Sequence, residues 1–100
     1  MYDPKKLTKL AKLAASAPAA FKAYQAFDAE AFKDGAIPLK YKELIAVAIG
    51  LTTQCPYCID IHATKAVKAG ATENELAEAA LVAAAIRAGG AVTHATHALG

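Results

Sequence analysis

One hundred residues, 56% of them apolar and 20% charged, are enough to bury one core but not two independent ones. Eleven basic and nine acidic side chains nearly cancel to a net charge of +2, which leaves no electrostatic footprint for a nucleic acid or an anionic membrane. Twenty-seven alanines against four prolines and no tryptophan predict an all-α fold, whose small side chains give a core thin enough to favour assembly with further copies.

From Pro4 to about Ala15, Leu7, Leu10, Ala11 and Ala14 recur at three- and four-residue spacing opposite Lys5, Lys6, Lys9 and Lys12, the pattern of an amphipathic helix. The lysines read as its solvated face rather than a targeting peptide, since Asp3 and the lysines themselves interrupt any apolar run. Ser16 is placed to cap a second helix, with Pro18 in its first turn and Phe21, Tyr24, Phe27 and Ala31 as a core stripe. Gly35 is expected to end that helix in the left-handed conformation, and Pro38 to open the next.

The segment from about Leu39 to Thr53 is apolar nearly all round, through Leu44, Ile45, Val47, Ala48, Ile49 and Leu51, and is expected to be the most buried helix. Its one acid is Glu43. On periodicity alone Glu43 reads as a solvated first-turn residue, whereas a buried carboxylate there would suit proton transfer. Thr52, Thr53 and Gln54 interrupt the apolar run before Cys55-Pro56, a helix-start signal, and that helix continues through Ala63, Ala66 and Val67 to a stop at Gly70. Thr72-Glu73-Asn74-Glu75 has capping-box spacing and opens an alanine-rich helix through Leu76, Ala80, Ala83 and Ile86 to about Arg87. Gly89-Gly90 then predicts a kink, or a break before a last short helix with Val92, His94, His97 and Leu99. No stretch approaches the roughly 20 uncharged apolar residues of a membrane span. No strand pattern, repeat or linker is seen, so residues 1–100 read as a single domain of five to six helices.

The chemistry concentrates in Gln54-Cys55-Pro56-Tyr57-Cys58-Ile59-Asp60-Ile61-His62. If this segment is helical throughout, Cys55, Cys58 and His62 fall within about 60° on one face. A helix N-terminus stabilises a thiolate, and Cys-x-x-Cys spacing lets one sulfur attack a disulfide or hydroperoxide while the other resolves the intermediate. Thioredoxin-like proteins share the spacing but need strands. The rival chemistry is zinc held by Cys55, Cys58, His62 and either His94 or His97. A third reading makes both cysteines inert core thiols.

Glu43, eleven further residues, then Cys55-x-x-Cys58-x-x-x-His62 across two helices resembles the AhpD-like branch of the carboxymuconolactone decarboxylase family. So does the phrase Lys42-Glu43-Leu44 through Thr52-Thr53-Gln54-Cys55-Pro56-Tyr57-Cys58 to His62, followed by Lys68-Ala69-Gly70-Ala71-Thr72, and the resemblance spans about residues 20–97. It implies a cofactor-free, metal-free alkylhydroperoxidase or disulfide reductase, an oxidoreductase of antioxidant type. Cys58 would be the peroxidatic thiol, Cys55 the resolving thiol, and His62 with a buried Glu43 the proton relay. It further implies a small-molecule hydroperoxide as oxidant, a dithiol or lipoyl-type protein as reductant, and a homo-oligomer, trimer or hexamer. No nucleic-acid or membrane partner is expected, and the location is read as cytoplasmic. One departure stands out: Tyr57 occupies the position between the cysteines where studied members carry a histidine, and tyrosine is a poor base near neutral pH. The alternatives are the decarboxylase chemistry that names the wider family, which needs no thiol pair, and a zinc-binding or structural oligomeric module. His94 and His97 read as exposed histidines near a helix C-terminus, or as a contribution to a neighbouring subunit's cysteine pocket.

Overall fold

Five α-helices and two short 3-10 segments run through residues 2–100, the part of the chain that the structure, a computed structural model, describes. There is no strand among the described residues, and the all-α class expected from the alanine content holds. The chain divides into two compact units, one ending at Leu39 and one running from Lys40 to Gly100.

In the first unit, Asp3 accepts the Lys5 N–H at 3.0 Å and opens a 3-10 segment, Pro4–Lys9, which passes into α1, Leu10–Ser16. The single amphipathic helix read from Pro4 is therefore a 3-10 turn first and an α-helix second. Helix α2 spans Pro18–Ala31 with proline in its first turn, as expected. Its N-cap, however, is Ala17 without a side-chain bond, and Ser16 is instead the last residue of α1. Nor does Gly35 close α2. The helix ends at Ala31, Gly35 is not left-handed, and Asp34 accepts the Leu39 N–H at 2.6 Å, so an aspartate rather than the glycine organises the entry to the next helix. The aromatic stripe is also not a core. Phe21 is half-buried, but Tyr24 and Phe27 stay 59% and 72% exposed, and Leu10, Leu13, Ala17, Ala20, Phe21 and Tyr24 line an open apolar cleft.

The second unit contains nearly all of α3, Leu39–Thr53, with α4, Pro56–Lys68, α5, Glu73–His94, and a terminal 3-10 turn, Ala95–His97. As the all-round apolar pattern predicts, α3 supplies the most buried residues, Glu43, Leu44, Val47 and Gly50. Ala66 of α4, Ala71 and Ala83 of α5 complete a small core, against which Leu76 and Ala79 pack. A core built on alanine brings backbones close. A Cβ placed on Gly50 would lie 3.2 Å from Cys58 Cβ and 3.3 Å from Ile59 Cγ1, so glycine lets the start of α4 settle against α3 without displacing either side chain. The cost of so thin a core is visible outside it: Ile45, Ile49, Leu81, Val82, Ile86 and Val92 are all exposed.

Two expectations about α5 are corrected. Gly89-Gly90 neither break nor end it, because the helix runs on to His94, and the Thr93 hydroxyl donates to the Gly89 carbonyl at 3.0 Å; two glycines weaken a helix by about 1 kcal/mol each relative to alanine without forbidding it. The unbroken stretch Glu73–His97, 25 residues with a mean hydropathy of 1.4 in its most apolar window, is consequently long and apolar enough to cross a membrane by length and composition alone. Only 6% of that window is buried inside the molecule, Ala83 being packed in the core.

Candidate active site

The site is built where α3 ends and α4 begins. Gln54 adopts a left-handed conformation, φ 56°, which costs a non-glycine residue about 1–2 kcal/mol, and the Cys55 N–H then reaches back five residues to the Gly50 carbonyl at 2.9 Å. Cys55 is extended, φ −104° and ψ 93°, and serves as the N-cap of α4, its sulfur accepting the Cys58 N–H at 3.3 Å. Pro56 fills the first helical position, where no N–H is needed. The expectation that Cys55, Cys58 and His62 share one helical face is thus replaced: Cys55 stands outside the helix, while Cys58 and His62 sit one turn apart within it. The two sulfurs are nevertheless brought together. Cys55 and Cys58 are joined as a disulfide with Cα atoms 5.3 Å apart.

Glu43 is 1% exposed, so the reading as a solvated first-turn acid is overturned. Its carboxylate meets His62 across the α3–α4 interface, with Nδ1 2.8 Å from Oε1 and 3.4 Å from Oε2. A carboxylate only accepts, so His62 donates to it through Nδ1–H. This is how a buried carboxylate commonly orients a histidine that takes and returns a proton. Tyr57 is half-buried between the cysteines in the first turn of α4.

Three contributors escape sequence reading. Gly50 gives the close approach described above. Gln54 stands where glycine is the usual residue, and nothing in its identity signals a left-handed backbone. Arg87, on the exposed face of α5, donates through Nη1 to the Thr52 carbonyl at 2.7 Å. Only spatial proximity reveals it, since 35 residues separate the two.

His94 and His97 lie against each other at the end of α5, ring centroids 5.6 Å apart, both exposed, with His94 Nδ1 donating to the Gly90 carbonyl at 2.8 Å. Among the described residues no three His, Cys, Asp or Glu side chains are grouped to hold a metal ion. The four-ligand zinc arrangement of cysteines and histidines is therefore not assembled, and the sulfurs that it needs are bonded to each other.

The arrangement defines an all-α protein with a closed Cys-x-x-Cys pair at the N-terminus of the helix that carries a carboxylate-oriented histidine. The chain belongs to the carboxymuconolactone decarboxylase family, whose profile matches residues 18–100. It is 38% identical, with a TM-score of 0.77, to the solved apo structure of a carboxymuconolactone decarboxylase family protein from Legionella pneumophila, covering 82% of this chain and 73% of that one. A solved protein from Methanobacterium thermoautotrophicum is 36% identical with a TM-score of 0.82, over 88% of this chain and 99% of that one. In sequence it is 50% identical over 68 residues to uncharacterized protein 4 in the cox locus of Paracoccus denitrificans. It is 42% identical over 48 residues to an uncharacterized protein of Cupriavidus necator. The matched stretches cover 68% and 48% of this chain, and the chain spans 61% and 42% of those two relatives' own lengths.

Proposed function

We propose that the protein is an AhpD-like thiol peroxidase that also acts as a disulfide reductase, working as one family domain. The observation that carries this reading is the combination, at the start of α4, of a closed Cys55–Cys58 pair with a His62 held at 2.8 Å by the buried Glu43. Hydroperoxide chemistry needs a thiolate nucleophile, a second thiol to close a disulfide and a proton for the leaving oxygen, and those residue types answer the three needs.

In the proposed cycle His62 takes the Cys58 thiol proton, and the thiolate attacks the outer oxygen of an organic hydroperoxide. The O–O bond breaks, Cys58 becomes the sulfenic acid, and the alkoxide leaves as the alcohol with the proton held by His62. Cys55 then attacks the Cys58 sulfur, closing the disulfide and releasing water. An external dithiol of lipoyl type reopens it by exchange through Cys55 and is itself oxidised to a disulfide, which balances the two electrons given to the peroxide. Such cycling suits a reducing compartment such as the cytoplasm, and involves neither nucleic acid nor membrane.

The exposed Ile45, Ile49, Leu81, Val82, Ile86 and Val92 support a homo-oligomer, trimer or hexamer, in which further copies cover the faces of α3 and α5. Sedimentation velocity of the purified chain tests this part, and a monomer at micromolar concentration removes it. The activity is tested by following an organic hydroperoxide and a lipoyl-type dithiol in a coupled assay. Wild type should consume both in equal amounts and Cys58→Ser neither. Turnover that survives Cys58→Ser sinks the thiol mechanism.

A further inference from the structure

Arg87 is a cation on an otherwise apolar exposed stretch, with Leu81, Val82 and Ile86 before it and Val92 after it. Packing gives no reason for a charge there. Its bond to a neighbouring helix points to the reason: Nη1 donates to the carbonyl of Thr52, in the last turn of α3 and three residues before Cys55. The last four carbonyls of a helix have no partner within it. Around this terminus the Thr52 and Thr53 hydroxyls both bond to the Ile49 carbonyl, at 2.8 and 2.9 Å, and the Gly50 carbonyl takes the Cys55 N–H. Arg87 supplies the partner for Thr52 from a different helix.

The electrostatic consequence falls on the sulfurs. Helix α3 delivers the negative end of its dipole, equivalent to about half an elementary charge, to the segment where Cys55 lies, while α4 delivers the positive end of its own through the Cys58 N–H. The two ends oppose each other for a thiolate formed at Cys55. A full positive charge seated on the α3 terminus tips that balance toward the anion.

We propose that Arg87 is a positioning residue for the thiol pair: by binding the Thr52 carbonyl it offsets the negative end of α3 and holds the Gln54–Cys55 turn, favouring the reduced, thiolate-bearing form over the disulfide. This rests on the redox reading above. Arg87 touches neither sulfur and takes no part in bond making.

The full chain is equilibrated with mixtures of reduced and oxidised dithiothreitol at about pH 8, where thiolates are well populated, and the disulfide fraction is read by alkylation and mass spectrometry. Dithiothreitol gives up two electrons and two protons to become its cyclic disulfide as Cys55–Cys58 opens. Arg87→Gln, which keeps a donor but loses the charge, should lower the equilibrium constant for reduction roughly two- to fivefold, about 10 to 20 mV for a two-electron couple. Arg87→Lys should lie closer to wild type than Arg87→Gln does. If Arg87→Gln loses helicity by circular dichroism, Arg87→Met replaces it with the same expected fall. A folded uncharged variant that titrates with wild type overturns the proposal while leaving the redox reading intact. A wild-type chain that never exchanges with dithiothreitol overturns both.

Discussion

The second unit contains two helix-to-helix junctions made on one plan, and their differences separate structure from chemistry. At the end of α4, Gly70 is left-handed, φ 101°, the Ala71 N–H reaches five residues back to the Ala66 carbonyl at 2.9 Å, and Thr72 caps α5 by accepting the Glu75 N–H at 3.1 Å. At the end of α3, Gln54 is left-handed, the Cys55 N–H reaches five residues back to Gly50, and Cys55 itself caps α4 through its sulfur. The first junction uses glycine and threonine, the residues that stabilise such a turn. The second replaces glycine with a strained glutamine and a strong oxygen acceptor with a weak sulfur one. Local stability is given up where the disulfide-bonded Cys55 is placed, as the proposed redox role would require.

The largest effects should come from breaking the cysteine junction. Glu43→Gln keeps size and burial but offers His62 an amide in place of a carboxylate, and peroxide turnover should fall roughly a hundredfold, the scale of a general acid–base contribution. Circular dichroism should meanwhile show the helices intact. Turnover within a fewfold of wild type would remove Glu43 from the relay. Next, Gly50→Ala pushes a methyl against Cys58 Cβ at 3.2 Å and Ile59 Cγ1 at 3.3 Å, and should cost about 1–3 kcal/mol in urea unfolding, as overpacking does.

How much of this is legible in the sequence follows from where each signal is stored. The helices of the second unit are written locally, in Pro56, Gly70 and the Thr72–Glu75 box, and they appear where those residues put them. The first unit misleads because Ser16 and Gly35 have the right chemistry at positions where Pro18 and Asp34 set the geometry instead. Gly89-Gly90 mislead in the opposite sense, as a helix with continuous backbone bonding tolerates a weak pair. At the site, the spacing of Cys55, Cys58 and His62 is visible at once. The burial of Glu43 is not, because a helix apolar on every side gives no face from which to infer it. Arg87 and Gly50 act through space, and no local pattern encodes them.

Exchanging the left-handed residues sharpens the comparison further. Gly70→Ala should cost about 1 kcal/mol, since alanine gains a Cβ penalty at φ 101°. Gln54→Gly should change stability in the other direction by about 0.5 kcal/mol, because relief of strain exceeds the added freedom of the unfolded chain. Thermal unfolding of the two variants reads the signs directly. Equal signs would mean that the two turns are not energetic counterparts.

The remaining effect concerns the cap of the structural junction and its response to acid. Glu75 accepts the Thr72 N–H at 2.9 Å and pairs with Lys40 at 3.0 Å, and these, the backbone bond first, hold its carboxyl below the ordinary range. Lys40 is raised in turn, chiefly by its bond to Glu75. A carboxyl whose folded pKa is depressed contributes stability that is present above its unfolded value and is lost as pH falls through the folded one; a raised lysine contributes below its unfolded value and loses that contribution in alkali. Thr72→Ala removes the hydroxyl that accepts the Glu75 N–H and should lower stability by about 1 kcal/mol. It leaves the larger causes of the lowered carboxyl, the Thr72 backbone bond and Lys40, and removes only the smallest, the Thr72 hydroxyl, so its acid response should stay close to that of wild type. Glu75→Gln should instead flatten the decline in Tm as pH falls below the ordinary carboxylate range, because the group that titrates is gone. If both variants lost the acid response alike, the hydroxyl and the carboxylate would be acting as one unit and not as two separable halves of the cap.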